Sequence, residues 1–273
     1  MKSKHLLLLL SFLAAALIRC GNSTSGDKAA DAAADTAFQK AHAEPDSIDF
    51  QGKGHVMEFP TPDGGNAKAY ALHTTQPTNK YLFVFQEWWG LNDQIKQEAD
   101  RLFDSLQVNV LALDMYDGKV TSDQSEAGKL MQNFKQERGE AIVKGALAHA
   151  GKDAKVATIG WCFGGGWSLR SSILAGNQGV GCVMYYGFPV EKAQELAPLQ
   201  AEILGIFAKK DAFINNEMVG KFEALAKATG KKMDIHWFDA DHAFANPSNP
   251  KFDPKATADA NKLAMDFLKG KLK

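Results

Sequence analysis

Residues 156–165 read Val156-Ala157-Thr158-Ile159-Gly160-Trp161-Cys162-Phe163-Gly164-Gly165. A short apolar and β-branched run ends at Ile159, glycines stand two positions before and two after Cys162, and 165–175 continues with the look of a helix. Strand, sharp turn and helix in that order form a nucleophile elbow, G-x-S-x-G, with cysteine in the serine position. Small flanking residues let the strained turn close, the side chain projects above the sheet, and the helix N-terminus favours an anion on it. A plain strand-to-helix turn with a buried cysteine also fits these ten residues, since free cysteine is commonly buried. A dinucleotide fingerprint does not fit, because Cys162 stands where the second glycine of G-x-G-x-x-G is needed.

Outward from this stretch the same alternation repeats. Strand-length apolar runs occupy 81–85, 108–113, 181–185, 203–207 and 233–238, and amphipathic helical stripes occupy 93–106, 217–228 and 257–268. Continuous apolar strands alternating with helices imply a mainly parallel sheet covered on both faces. An earlier pair of strands, 56–59 and 67–72, is split by Pro62-Asp63-Gly64-Gly65, a hairpin signal. An antiparallel hairpin leading into a parallel, doubly covered sheet is one form of the α/β-hydrolase fold; other doubly wound folds share the pattern.

An elbow nucleophile needs an acid and then a histidine further along the chain. Asp211 follows the run 203–207 and His242 follows the run 233–238, so both stand at strand C-termini, as Cys162 does. That is the end of an open α/β sheet where ligands bind. The roles are then Cys162 as nucleophile, His242 as the base that takes its proton, and Asp211 as the group that orients the imidazole. Asp239 and Asp241 are rivals for the acid, Asp241 the poorer because a neighbour of His242 is hard to aim at its ring. No histidine–cysteine cluster has zinc spacing and no phosphate-binding loop is present, so neither metal nor cofactor is expected. Cys182, inside the run 181–185, is expected to be packed in the core.

Composition bounds the partners. The chain has 273 residues with 31 Lys+Arg against 32 Asp+Glu, so no basic field exists to hold nucleic acid. Lys2 and Lys4 precede an apolar run at 6–18, too short to span a bilayer, so 1–20 is expected to be a signal segment of an exported protein. Cys20 and the polar stretch after it resemble a bacterial lipoprotein signal with an acylated cysteine, although Arg19 departs from the small residue expected there; ordinary cleavage is the alternative. Residues 21–47 read as a polar tether and 48–273 as one catalytic domain. The expected protein is a monomer whose only membrane contact is that anchor.

From about Gly54 to Leu268 the chain resembles the dienelactone hydrolase family, α/β-hydrolases with a Cys-His-Asp triad. The resemblance is carried by Gln86-Glu87-Trp88-Trp89-Gly90-Leu91, Leu113-Asp114-Met115-Tyr116, the cysteine elbow, Lys210-Asp211 and His242-Ala243-Phe244-Ala245-Asn246-Pro247. It implies hydrolysis of a small ester or lactone through a thioester, with Glu87 as the glutamate that interacts with the resting cysteine. An oxyanion hole is then expected from the backbone N–H groups of Phe163 and Trp88. Family members that open dienelactone hold its carboxylate with arginines. Asn246 stands at one of those positions and brings no charge, so weaker binding of that anion is expected. Trp88, Trp89, Trp161, Tyr116 and Phe244 are candidate pocket walls or core residues. The competing function is a binding protein on the same fold whose triad is unused; a redox thiol protein would want a C-x-x-C motif, which is missing.

Overall fold

The computed structural model describes residues 25–273. The signal segment 1–20 and the acylation site at Cys20 lie outside the described residues. The chain enters with α1 (Ser25–Ala34) and α2 (Thr36–Ala41), followed by the strands β1 (His55–Pro60) and β2 (Asn66–Leu72). These two strands pair antiparallel, from His55 against Ala71 to Pro60 against Asn66, and the turn between them closes with Thr61 N–H donating to the Gly65 carbonyl at 2.9 Å.

The repeating part follows as β3 (Lys80–Phe85), α3 (Asp93–Leu106), β4 (Asn109–Leu113), α4 (Gln124–Asn133), α5 (Gln136–Ala150), β5 (Lys155–Trp161) and α6 (Phe163–Ala175). It continues as β6 (Gly179–Tyr185), α7 (Ala193–Leu196), β7 (Glu202–Ala208), α8 (Asn216–Ala228), β8 (Met233–Phe238) and α9 (Pro254–Lys271). The strands make one eight-stranded sheet ordered β1-β2-β4-β3-β5-β6-β7-β8. β2 runs antiparallel to β4, and all pairs from β4 to β8 are parallel. The expected α/β-hydrolase arrangement with its antiparallel start is therefore present.

Alternation along β3 sends side chains to opposite faces of the sheet. Leu82 and Val84 join Ile95 and Leu102 of α3 and Ala260 and Leu268 of α9. Phe83 and Phe85 join Ile142 and Val143 of α5 and Trp167 of α6. β4 is buried along its whole length, as a parallel strand covered on both faces must be.

The tether expected at 21–47 is not a free spacer over its described part. α1 and α2 lie against α4, and Ala33 and Phe38 are fully buried. Gly128 of α4 makes this approach possible, since a Cβ there would stand 3.0 Å from the Ala33 carbonyl oxygen and 2.7 Å from Gln39 Nε2. A six-residue helix does not hold its shape alone. Asp35 caps α2 by accepting from Ala37 N–H at 2.7 Å, and burial of the Phe38 ring contributes about 2 kcal/mol towards keeping the segment seated. The Ala-rich composition hides this, because alanine suits a solvated helix and a close-packed one equally well.

Candidate active site

Strand register decides which loops meet. Phe85 pairs with Gly160, so the chain leaves β3 towards Glu87 and β5 towards Cys162 side by side. Ala208 pairs with Phe238, so the loops carrying Asp211 and His242 are also neighbours, at the same end of the sheet.

Cys162 sits at φ 54°, ψ −118°, a backbone state that costs a non-glycine residue strain. The turn is held by Cys162 N–H donating to the Tyr185 carbonyl at 3.1 Å and by Gly165 N–H donating to the Cys162 carbonyl at 2.9 Å. Gly164 is required for it, since a Cβ there would lie 2.3 Å from the Phe85 carbonyl oxygen. Phe163 is the first residue of α6, so its N–H has no acceptor within the helix and is free for an oxyanion.

His242 Nδ1 stands 2.5 Å from Asp211 Oδ2. Asp211 Oδ1 accepts from Phe213 N–H at 2.9 Å and Ile214 N–H at 3.0 Å, which fixes the carboxylate. Burial alone would push the Asp211 carboxyl up, but the facing imidazole and these two N–H groups hold it below the usual range. Burial also works against the His242 imidazolium, and the charges of Asp211 and Cys162 outweigh it and raise that ring well above an ordinary histidine. The rival acids are elsewhere: Asp239 pairs with Lys210 and Asp241 with Lys251. Cys162 and Cys182 are both free thiols, Cys182 lying fully buried in β6 beside the Ser168 hydroxyl at 3.6 Å.

Glu87 is 3% exposed, and its Oε2 accepts from Asn246 Nδ2 at 2.6 Å. Asn246 Oδ1 is taken in turn by the backbone N–H and the hydroxyl of Ser248, at 2.9 and 2.7 Å. Asn246 is therefore spent on positioning Glu87 and does not offer its amide to a substrate carboxylate, the place suggested for it by sequence. A buried carboxylate without a cation needs such a donor. Of the expected pocket walls, Tyr116 faces Cys162, whose charge adds to burial in raising its phenol. Trp88 lies against the site, with Trp89 packed behind it at 4.9 Å between rings. Phe244 is packed between Tyr186 and Phe238, and Trp161 lies on Tyr185, so these two are core residues.

Two residues at the centre were not read from the sequence. Tyr186, just past the end of β6, faces Glu87 and Cys162; its place at the end of a parallel strand was the available signal. His42, from the segment before the domain, lies with its Nε2 3.7 Å from Cys162 Sγ. Its ring also lies 4.4 Å from Trp88 and 4.7 Å from His242. No spacing links residue 42 to residue 162. Three buried polar atoms of this region have no hydrogen-bond partner, Glu87 Oε1, Trp88 Nε1 and Tyr116 Oη. Such a concentration marks a place built to meet polar ligand atoms. A cavity of about 440 Å³ adjoins it between α1, α4 and α6, walled by Phe134, Phe163, Trp167 and Phe188.

The Glu87 carboxyl is pushed up to about 7, burial outweighing the Asn246 hydrogen bond and the His242 charge. Its folded value is above its unfolded one, so the folded state binds the proton more tightly and stability is lost as pH rises from about 4.5 to 7. Glu87→Gln keeps an acceptor for Asn246 and removes the titration. The variant should therefore gain on the parent protein by about 3 kcal/mol between pH 4.5 and 8, read from urea unfolding at each pH. A stability difference that stays flat across that range would show that Glu87 does not titrate there.

Residues 67–272 match the family described as "Dienelactone hydrolase family". A carboxymethylenebutenolidase 1 of Cupriavidus pinatubonensis is 25% identical over 226 residues, which cover 78% of this chain and 95% of that protein. A carboxymethylenebutenolidase of Pseudomonas sp. strain P51 is 33% identical over 149 residues, 51% of this chain and 60% of that one. Among solved structures, a dienelactone hydrolase-like promiscuous phosphotriesterase from metagenomic libraries superposes with a TM-score of 0.69 at 20% identity, covering 80% of this chain and 99% of its own. That likeness bears on the fold.

Proposed function

The chain belongs to the dienelactone hydrolase family, and on that premise we propose that it hydrolyses small carboxylic esters or lactones with Cys162 as the nucleophile. The observation that carries this is the buried relay of Asp211, His242 and Cys162 beyond the C-terminal ends of β7, β8 and β5. The Cys162 sulfur attacks the carbonyl carbon, and His242 holds the thiol proton. The oxyanion is met by the N–H of Phe163 and that of Trp88. Collapse breaks the C–O bond, and His242 returns the proton to the leaving alkoxide, leaving a thioester on Cys162. His242 then takes a proton from water, the hydroxide adds to the thioester, and the carboxylic acid leaves as the thiolate reforms.

Cys162 is 3% exposed with His42 against it, so an ester reaches the sulfur only when 36–42 lift. The segment is held outside by Gln124 to the His42 carbonyl and by Lys251 to the Ala41 carbonyl, and α1 before it by Lys28 to Glu191. These are contacts of the kind that exchange readily with water. Export and an anchor at Cys20 belong to the same reading and are supported by the charge and apolar pattern of 1–20.

Rapid acid quenching during turnover of p-nitrophenyl acetate, followed by peptide mass mapping, tests the proposal. An acetyl group is expected on the peptide carrying Cys162. Turnover with the acyl group on another residue, or with none trapped under conditions of burst release, would remove Cys162 as nucleophile.

A further inference from the structure

His42, Cys162 and His242 offer three donor atoms that all lie within 4.8 Å of one another, and all three residues are buried. The tautomers of both rings are set from behind. His42 Nδ1 is 2.7 Å from the Phe38 carbonyl, which can only accept, so Nδ1 carries the hydrogen and Nε2 presents a lone pair. His242 Nδ1 faces the Asp211 carboxylate in the same way, and its buried Nε2 shares with Cys162 the proton between them. Once that proton leaves, two imidazole lone pairs and one sulfur converge on a space shut off from water. A single thiol proton can be shared between the sulfur and one ring and leaves the other ring unsatisfied.

A soft divalent cation satisfies all three at once, and we infer that the closed arrangement is a zinc-class metal site made of His42 Nε2, Cys162 Sγ and His242 Nε2. Tetrahedral zinc takes sulfur at about 2.3 Å and imidazole nitrogen at about 2.0 Å. That geometry puts sulfur and nitrogen about 3.5 Å apart, against 3.7 Å between Cys162 Sγ and His42 Nε2. A backbone carbonyl behind one imidazole and a carboxylate behind the other are the outer partners that metal-bound histidines use. The fourth position is left to water. Binding releases the proton shared by Cys162 and His242 and forms a metal–thiolate bond, with no change of oxidation state.

The metal would occupy nucleophile and base together, and it would tie 36–42 down through His42. It is a locked form of the site that opens only when the segment lifts. The binding itself does not rest on the hydrolase reading; the consequence for turnover does.

Cobalt(II) reports the site directly. In the full chain carrying Cys20→Ser, which removes the thiol outside the described residues, Co²⁺ should give a thiolate-to-cobalt charge-transfer band and intense four-coordinate visible bands, saturating at a single ion per chain. Cys162→Ala should abolish the charge-transfer band. His42→Ala, and His42→Gln as the variant that preserves volume, should weaken cobalt binding by at least about tenfold, and zinc should displace cobalt from the parent protein. No charge-transfer band in the parent, or a band undiminished in both His42 variants while they remain folded by circular dichroism, overturns the inference. Ester turnover measured on the same protein freed of metal by a chelator separates the two readings. Bands that behave as expected without any turnover uphold the metal site and sink the hydrolase. Turnover without the bands does the reverse.

Discussion

Cys162→Ala is expected to lower kcat/KM for p-nitrophenyl acetate by at least about 10⁴-fold, with KM little changed. The thioester path exists only through the sulfur; without it, water must attack the ester directly in one step, helped by the oxyanion donors and whatever orientation the pocket supplies. Those contributions survive the substitution, since Phe163 N–H belongs to the backbone of α6, so a residual rate above the uncatalysed one is expected. Alanine retains the Cβ that the turn at φ 54° already accommodates, so the fold should be unaffected, as near-ultraviolet circular dichroism would verify. Equal rates in the two proteins would mean that the esters are cleaved elsewhere and would leave Cys162 only the metal-binding role.

Most of the fold can be read along the chain because each strand is announced by its own residues. The runs at 81–85, 203–207 and 233–238 reappear as β3, β7 and β8 to within a residue or two, and the stripe at 93–106 is α3 end to end. The triad was legible for a related reason: an elbow has a local signature, and its partners need only stand at the ends of other strands. Contacts that depend on packing were not legible. Asn246 looks like a substrate ligand in sequence, yet the unpaired charge of Glu87 draws its amide, and nothing local foretells that pairing. His42 was out of reach because its position is dictated by Phe38, Ala33 and the gap left by Gly128, residues that are ordinary in an alanine-rich stretch. The family match begins at residue 67, so the roof over Cys162 is formed by a part of the chain that lies outside the matched region.

Asp211→Asn is expected to cost about 10⁴-fold in kcat near pH 7, the size of the corresponding change in a serine triad, and the reason is a tautomer. Asp211 Oδ1 accepts from two backbone N–H groups and Oδ2 faces His242 Nδ1. An asparagine must keep its oxygen towards Phe213 and Ile214, because its NH₂ cannot accept their hydrogens. Its NH₂ then meets His242, which can respond only by carrying its hydrogen on Nε2 and accepting at Nδ1. An N–H now points at Cys162 where a lone pair is required, so the ring cannot take the thiol proton. The raised affinity of His242 for a second proton, which the Asp211 charge sustains against burial, is lost as well. Two measurements separate this from a general loosening of the site. Acylation, followed as the burst of p-nitrophenolate, should recover in strong alkali, where hydroxide replaces the ring as the base that takes the thiol proton. Deacylation should stay slow, because water still lacks its base, so the variant should accumulate thioester at high pH while the parent protein does not. Parallel loss of both steps at every pH would instead indicate that the Asp211 loop holds the structure of the site and not the tautomer of His242.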